Sequence, residues 1–324
     1  MNKIAIIILY FGKVPVYIDL FLKGCAQNKQ IDFIFITDWD YATCQFSPNC
    51  VLIPYSTDQF KLLAKEKFGF QIALNHAFKL CDLKPSWIFL FENFVSKYKY
   101  VGWCDIDLIF GNLSSFFYEE LFSKYDFVTV TDHFISGAFT LLKNDPKYTT
   151  IFKNAKGWEE IFQNERHYAF DEGLRIEQNS GKDSFSSMMK REEDEGRINV
   201  LHKICAFEGH PQNMIYNNGS ITENNVEYAM FHFVIAKRNS FFVFPDWPKI
   251  PDQFGISKFG FSQKINKKVS VVSLLFNSFY RRQVNNNLKK KLLIVGKLVK
   301  EMDFRRLYIG FKRQFFTKKW ILEK

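Results

Sequence analysis

Asp105 and Asp107 stand in the stretch YVGWCDIDLIFGNL, residues 100–113, with one isoleucine between them. At that spacing both carboxylates project to the same side of an extended backbone. Two hard oxygen ligands on one side of a strand's end suit Mg²⁺ or Mn²⁺, and such an ion can hold phosphate oxygens in turn. The plainer alternative is that the two acids cap a turn or meet nearby lysines, and an Asp-x-Asp alone does not separate the two. The flanks sharpen the question. Tyr100 to Trp103 lead in, Leu108, Ile109 and Phe110 follow, and Gly111-Asn112 breaks the run. Apolar residues bounded by a turn signal read as one buried strand. Such a strand keeps two acids only if something compensates them, because isolated buried charge is expensive.

Other reactive side chains are scattered. KLCDLKP (79–85) carries Asp82 and Lys84 in an apolar neighbourhood; an ordinary helix end with solvated charges is the plainer reading. Residues 156–175 read as a helical stretch ending at Asp171-Glu172. MFHFVIAKR (230–238) sets His232 among aromatics with Lys237 five residues on. A lone histidine there is more often a packed core group than a ligand. His167 and Asp171 make no nucleophilic triad with an evident Ser or Cys elbow. The chain contains neither G-x-x-x-x-G-K-[ST] nor G-x-G-x-x-G, which argues against P-loop and Rossmann cofactor sites.

The elements that must position these residues are legible from the start of the chain. KIAIIILYF (3–11) reads as a central parallel strand, apolar on both faces, rather than as a signal peptide. A helix is predicted over 14–26 with Pro15 in its first turn, then a second strand, IDFIFITD (31–38). CVLIPY (50–55) is a third strand, and Ser56-Thr57-Asp58 a helix start. Helical pieces then fill 59–91, broken near Gly69 and by Pro85. Further strands are expected at 126–132, 135–144 and 199–207, with a solvated helix and loop over 176–200. Strand, helix and strand within forty residues predict an open α/β sheet with right-handed crossovers. Such sheets bind ligands at the carboxyl ends of their strands, where Tyr10, Phe11, Asp38 and the Asp105/Asp107 pair all fall.

Composition supports a large core. Of 324 residues, 47% are hydrophobic and 38 are phenylalanine, which argues against wholesale disorder. The six cysteines show no Cys-x-x-Cys pair and no paired histidine spacing, so a reducing cytosol without disulfides or structural zinc is expected. No apolar run reaches the roughly 18 residues of a membrane span. The net charge of +10 is unevenly distributed: residues 1–261 sum to −4 and residues 262–324 to +14. A basic tail without a recognisable reading module gives no support to nucleic-acid binding.

In this order, the motifs resemble those of bacterial glycosyltransferases of the GT-A type, and more narrowly of a poorly characterised family found with surface-polysaccharide genes. The likeness rests on IAIIILYFGKVP, IDFIFITD, KLCDLKP and the core from Gly102 through Asp105-Ile106-Asp107-Leu108 to Leu113. It covers about residues 3–145, with islands at 156–175 and 228–240. It implies a GT-A fold with a mostly parallel central sheet, in which Asp105 and Asp107 hold a divalent metal on the diphosphate of a nucleotide sugar. Glycogenin-like retaining transferases carry His-Phe-x-Gly-x-x-Lys-Pro-Trp. His232-Phe233 and Lys237 are similar to it, but Val234-Ile235-Ala236 lack the glycine and Arg238-Asn239 replace Pro-Trp. The resemblance implies His232 as the third metal ligand and Lys237 at phosphate. Asp171-Glu172 is similar to a shortened Asp-Gln-Asp near the reacting centre, with Gly173 where the last Asp would stand.

On that resemblance the expected function is metal-dependent transfer of a sugar, with retention, from a nucleotide donor such as a UDP-sugar to a glycan or lipid-linked glycan acceptor. Mn²⁺ suits two carboxylates and an imidazole somewhat better than Mg²⁺. Tyr10 and Asp38 are expected near base and ribose, Lys84 and Lys237 toward the diphosphate, Asp82 among the donor-binding residues, and Asp171 and Glu172 at the donor–acceptor junction. The rivals are a sugar-phosphate nucleotidyltransferase, which usually shows a Gly-rich N-terminal loop, and a non-catalytic membrane-surface or carbohydrate-binding protein of the same fold. The expected domains are residues 1–261 and a tail, 262–324. In the tail Leu288, Leu292, Val295 and Val299 form one helical stripe flanked by lysines, with Phe311, Phe315, Phe316 and Trp320 beyond it. A basic amphipathic helix suits an anionic bilayer and predicts a peripheral protein on the inner face of the cell membrane; the plainer alternative is a helical appendage packed on the transferase domain.

Overall fold

The computed structural model describes residues 3–40, 44–173, 176, 180–239 and 241–263. The tail from residue 264 on, with its expected amphipathic helix, lies outside the described residues. The strands in chain order are β1 (Ile4–Tyr10), β2 (Ile31–Thr37), β3 (Cys50–Pro54), β4 (Tyr100–Cys104), β5 (Leu108–Phe110), β6 (Phe127–Thr129), β7 (Phe139–Lys143), β8 (Val200–His202) and β9 (Ala206–Glu208). β10 (Met214–Asn217), β11 (Ser220–Glu223), β12 (Val226–Tyr228), β13 (Met230–His232), β14 (Gln253–Ser257) and β15 (Gly260–Ser262) follow.

The central sheet has the order β3-β2-β1-β4-β7-β6-β8. It is mixed but mostly parallel: only the β4–β7 and β7–β6 pairs run antiparallel. β1 is buried on both faces, as its unbroken apolar run requires. Ala5, Ile7 and Leu9 enter one core cluster, and Ile6 and Ile8 enter another. The helix Ile18–Gln27 covers the second face through Phe21, Leu22 and Cys25. The helix Thr57–Phe68 covers the first through Phe60 and Ala64. It begins at a capping box, in which the Ser56 hydroxyl accepts from the Gln59 N–H and the Gln59 side chain accepts from the Ser56 N–H. It ends at Gly69 with φ +82°, a conformation that favours glycine.

Four local expectations are corrected. The central motif is not one strand: β4 ends at Cys104, and β5 belongs to a separate three-stranded sheet, β5-β13-β9. Asp105, Ile106 and Asp107 form the crossing between the two sheets. The predicted helix at 156–175 is helical only over Trp158–Gln163. Beyond it the buried Asp82 carboxylate accepts from the backbone N–H groups of Tyr168 and Phe170, which draws the chain into a turn around Ala169 at φ +50°. The 176–200 segment is not wholly solvated, because the helix Phe185–Asp194 sends Phe185, Met188 and Met189 into the core. The late strand at 199–207 is two strands, β8 and β9, in different sheets.

The antiparallel sheet β12-β11-β10-β14-β15 was not anticipated. β15 ends at Ser262, one residue past the expected domain boundary. No helix among the described residues is long and apolar enough to cross a membrane.

Candidate metal centre

The β4–β5 crossing explains why two acids tolerate an otherwise buried stretch. The Asp105 N–H donates to the Ala138 carbonyl at 2.9 Å, and the Asp107 carbonyl accepts from the Phe233 N–H at 3.1 Å. Both backbones are therefore fixed while both side chains turn to one place. β13 brings the third group, since its register sets His232 opposite Leu108, the residue after Asp107. One ligand atom from each of Asp105, Asp107 and His232 lies within 4.8 Å of the others.

Each carboxylate has one oxygen occupied and one turned inward. Lys84 Nζ sits 2.5 Å from Asp105 Oδ1, and Lys237 Nζ donates to Asp107 Oδ2 at 2.5 Å. The other oxygens, Asp105 Oδ2 and Asp107 Oδ1, lie 3.9 and 3.4 Å from His232 Nε2. That nitrogen is buried and has no hydrogen-bond partner among the described residues. A buried polar atom without a partner is costly, and a divalent cation would supply one. Two carboxylate oxygens and one imidazole nitrogen fit Mn²⁺ or Mg²⁺, the former somewhat better.

The charges reinforce one another. Burial pushes the Asp107 carboxyl up, but His232 and Lys237 outweigh it and hold the group well below the usual carboxylate range. Burial pushes the His232 imidazole down, yet the Asp107 and Glu208 carboxylates reverse this and raise it to about 10. A cation would have to displace that proton.

Lys84 differs from its expectation. It is 3% exposed, and besides Asp105 its Nζ donates to the Gly137 carbonyl at 2.9 Å and lies 3.6 Å from Asp171 Oδ2. Burial disfavours its charge, but Asp105 above all keeps it protonated. It is an internal counter-ion, not a solvated helix end. Asp82 is likewise internal: fully buried, it pairs with the equally buried Lys79 at 2.8 Å and holds the 168–170 turn. It presents nothing to a ligand.

Asp171 and Glu172 stand behind Gly137. The Gly137 N–H donates to Glu172 Oε1 at 2.9 Å, and Ser186 Oγ holds the Asp171 carbonyl at 2.8 Å. Burial, resisted by Lys84 and aided by Glu172 and Asp105, lifts the Asp171 carboxyl to about 7. An unfolded aspartate titrates at about 4, so the folded state binds this proton more tightly. The stability linked to it is complete below about pH 4 and is lost as pH rises to about 7. Denaturation midpoints of the metal-free chain at pH 5 and pH 8 should therefore converge in Asp171→Asn. Unchanged pH dependence would show that Asp171 titrates normally.

Gly137 itself is required by space. A Cβ there would come within 2.1 Å of Asp171 Oδ2 and 3.3 Å of Glu172 Oε1. Gly137→Ala is expected to displace both acids while leaving Mn²⁺ affinity at its wild-type value. A titration of Mn²⁺ alongside turnover checks this, and equal loss of both would show that the acids and the metal centre move together.

Tyr10 is the last residue of β1, and Asp38 follows the end of β2. Tyr10 packs its ring 5.3 Å from Trp39, whose buried indole N–H finds no hydrogen-bond partner among the described residues, and burial and the Asp107 charge raise the Tyr10 phenol. Asp38, exposed, accepts from the Gly12 N–H at 2.7 Å. Sequence reasoning missed Tyr17, whose ring lies 5.6 Å from Lys237 Nζ, and Glu208, which reaches His232 Nδ1 at 3.0 Å. Neither carries a local signal, because both arrive through pairings between distant segments.

Comparison with known proteins places the chain in a family. Among solved structures, the glycosyltransferase GlyE of Streptococcus pneumoniae TIGR4 is similar at 13% identity, over 62% of this chain and 45% of its own, with a TM-score of 0.32. The galactosyltransferase LgtC, in complex with donor and acceptor sugar analogs, is 11% identical over 63% of this chain and 75% of its own, TM-score 0.34. A glycosyltransferase involved in glycosylation of the major capsid of PBCV-1 is 14% identical over 64% and 85%, TM-score 0.32. The chain spans less than half the length of GlyE. No curated protein matches it. A family model does match, over residues 6–264, and the chain belongs to that family, the family of unknown function DUF6625.

Proposed function

We propose that this member of the DUF6625 family is a metal-dependent glycosyltransferase that moves a sugar from a nucleoside diphosphate to a glycan acceptor. The observation that carries the reading is the meeting of Asp105, Asp107 and His232 at the carboxyl end of β4, with the buried His232 Nε2 facing both aspartates but, among the described residues, without a hydrogen-bond partner. A divalent cation held there would supply positive charge to the diphosphate as it departs.

The remaining work falls to the chain's own residues. Lys237, one-third exposed beside Asp107, is the cation able to meet a phosphate oxygen. Tyr10 and the Trp39 indole N–H lie at the ends of the neighbouring strands and suit the base, and the exposed Asp38 suits the ribose hydroxyls. Asp171 and Glu172 are the carboxylates for the sugar side. Glu172 is fixed on one oxygen by Gly137, which orients the other. In a retaining reaction they act by position and charge; in an inverting one Glu172 is the base on the acceptor hydroxyl.

The test is a screen of nucleotide sugars with the full-length chain, with and without Mn²⁺, scoring free sugar and nucleoside diphosphate. Metal-dependent release of both from one donor is expected. Release of pyrophosphate from a nucleoside triphosphate and a sugar phosphate would replace the reading with nucleotidyl transfer. Tight metal binding without turnover of any donor or acceptor would make the protein a binding module.

A further inference from the structure

The geometry points to Glu208 as the positioning residue of the candidate metal centre: it fixes the His232 ring from behind so that Nε2 is the nitrogen offered to a divalent cation. The inference rests on the metal reading above and adds to it a residue outside the three-ligand set.

Sheet register builds the contact. β9 runs parallel to β13, and the pairing sets Glu208 directly beside His232. On the other side of β13, β5 sets Leu108 beside His232 and so brings Asp107 to the ring. The imidazole therefore stands between the Glu208 carboxylate of β9 and the aspartates of the crossing that leads into β5. Glu208 Oε1 is 3.0 Å from Nδ1, while Asp107 Oδ1 and Asp105 Oδ2 face Nε2.

The two ring nitrogens are not equivalent. Nδ1 has Glu208 Oε1 at 3.0 Å, whereas the carboxylate oxygens nearest the buried Nε2 stand off at 3.4 and 3.9 Å. A carboxylate on Nδ1 keeps the proton there when the ring is neutral, so the lone pair is on Nε2, among the aspartates. The same contact opposes rotation about the Cβ–Cγ axis, and a proton held between Nδ1 and Glu208 makes the imidazole a stronger donor. Glu208 cannot itself join the three donors in this arrangement, since it lies against the opposite nitrogen. Its side chain is 46% exposed, so its position is not explained by packing.

Mn²⁺ affinity of the full-length chain, read from the electron paramagnetic resonance of free Mn²⁺ without nucleotide or turnover, tests the assignment. Glu208→Ala should weaken binding by roughly 10- to 100-fold. Glu208→Gln, whose amide oxygen can still accept from Nδ1, should recover part of the loss. In a His232→Ala background Glu208→Ala should add nothing, because its effect passes through the ring. Wild-type affinity in Glu208→Ala overturns the proposal, as does an equal loss in both backgrounds, which would mean that the charge acts on the cation directly. Failure of the wild-type chain to bind Mn²⁺ overturns the metal reading and this inference with it, and is distinguished by needing no variant at all.

Discussion

Asp107→Asn should remove Mn²⁺ binding and, with it, metal-dependent donor binding and sugar release. The loss should exceed the roughly 100-fold that marks the upper end for residues one step behind a metal. Asp107 Oδ1 is one of the three converging donors, and Oδ2 anchors Lys237. An amide of the same shape offers a neutral oxygen to the cation and cannot hold two positive neighbours. The buried His232 loses the largest influence raising its proton affinity, so its ring becomes neutral at lower pH than in the wild type. Calorimetric titration with Mn²⁺ and then with nucleotide checks this, alongside a thermal melt to show that the fold persists. Wild-type Mn²⁺ affinity in a folded Asp107→Asn chain would exclude this carboxylate as a ligand.

The second large effect concerns stability. Lys84→Met should cost about 3 kcal/mol, the lower end for removing one partner of a buried ion pair. Lys84 is the counter-ion of Asp105 at 2.5 Å, lies near Asp171 at 3.6 Å, and satisfies the Gly137 carbonyl. Methionine fills similar volume without charge, leaving Asp105 and Asp171 to face each other. The cost stays at the low end because Asp105 retains 29% exposure and Asp171, whose carboxyl already titrates near 7, can take up a proton. Urea unfolding at pH 7 measures the loss, and Mn²⁺ should restore part of it by giving Asp105 a new partner. A residue that merely bound phosphate would behave in the opposite way, with native stability and weakened nucleotide affinity. That outcome would return Lys84 to the diphosphate.

Much of this molecule was legible in one dimension because its signals are local. β1 and β2 are unbroken apolar runs, and the capping box at Ser56 and the left-handed Gly69 mark the ends of one helix in single residues. The Asp105/Asp107 pair is visible since two acids in an apolar stretch contradict their surroundings. What sequence alone could not supply was partnership. KLCDLKP looks like a solvated helix end; it is a buried ion network only because the 161–170 segment and the β4–β5 crossing close over it. His232 among aromatics looks like a core histidine, and only the register of β13 against β5 and β9 turns its two nitrogens toward different carboxylates. The sequence determined the first strands of the central sheet and where charge would be out of place, because period and hydrophobicity act over a few residues. The tertiary structure decided which charges meet: the pairing of β13 with β5, more than a hundred residues earlier in the chain, and with β9 is a contest of whole-chain packing, and it set the distances on which the chemistry of this site depends.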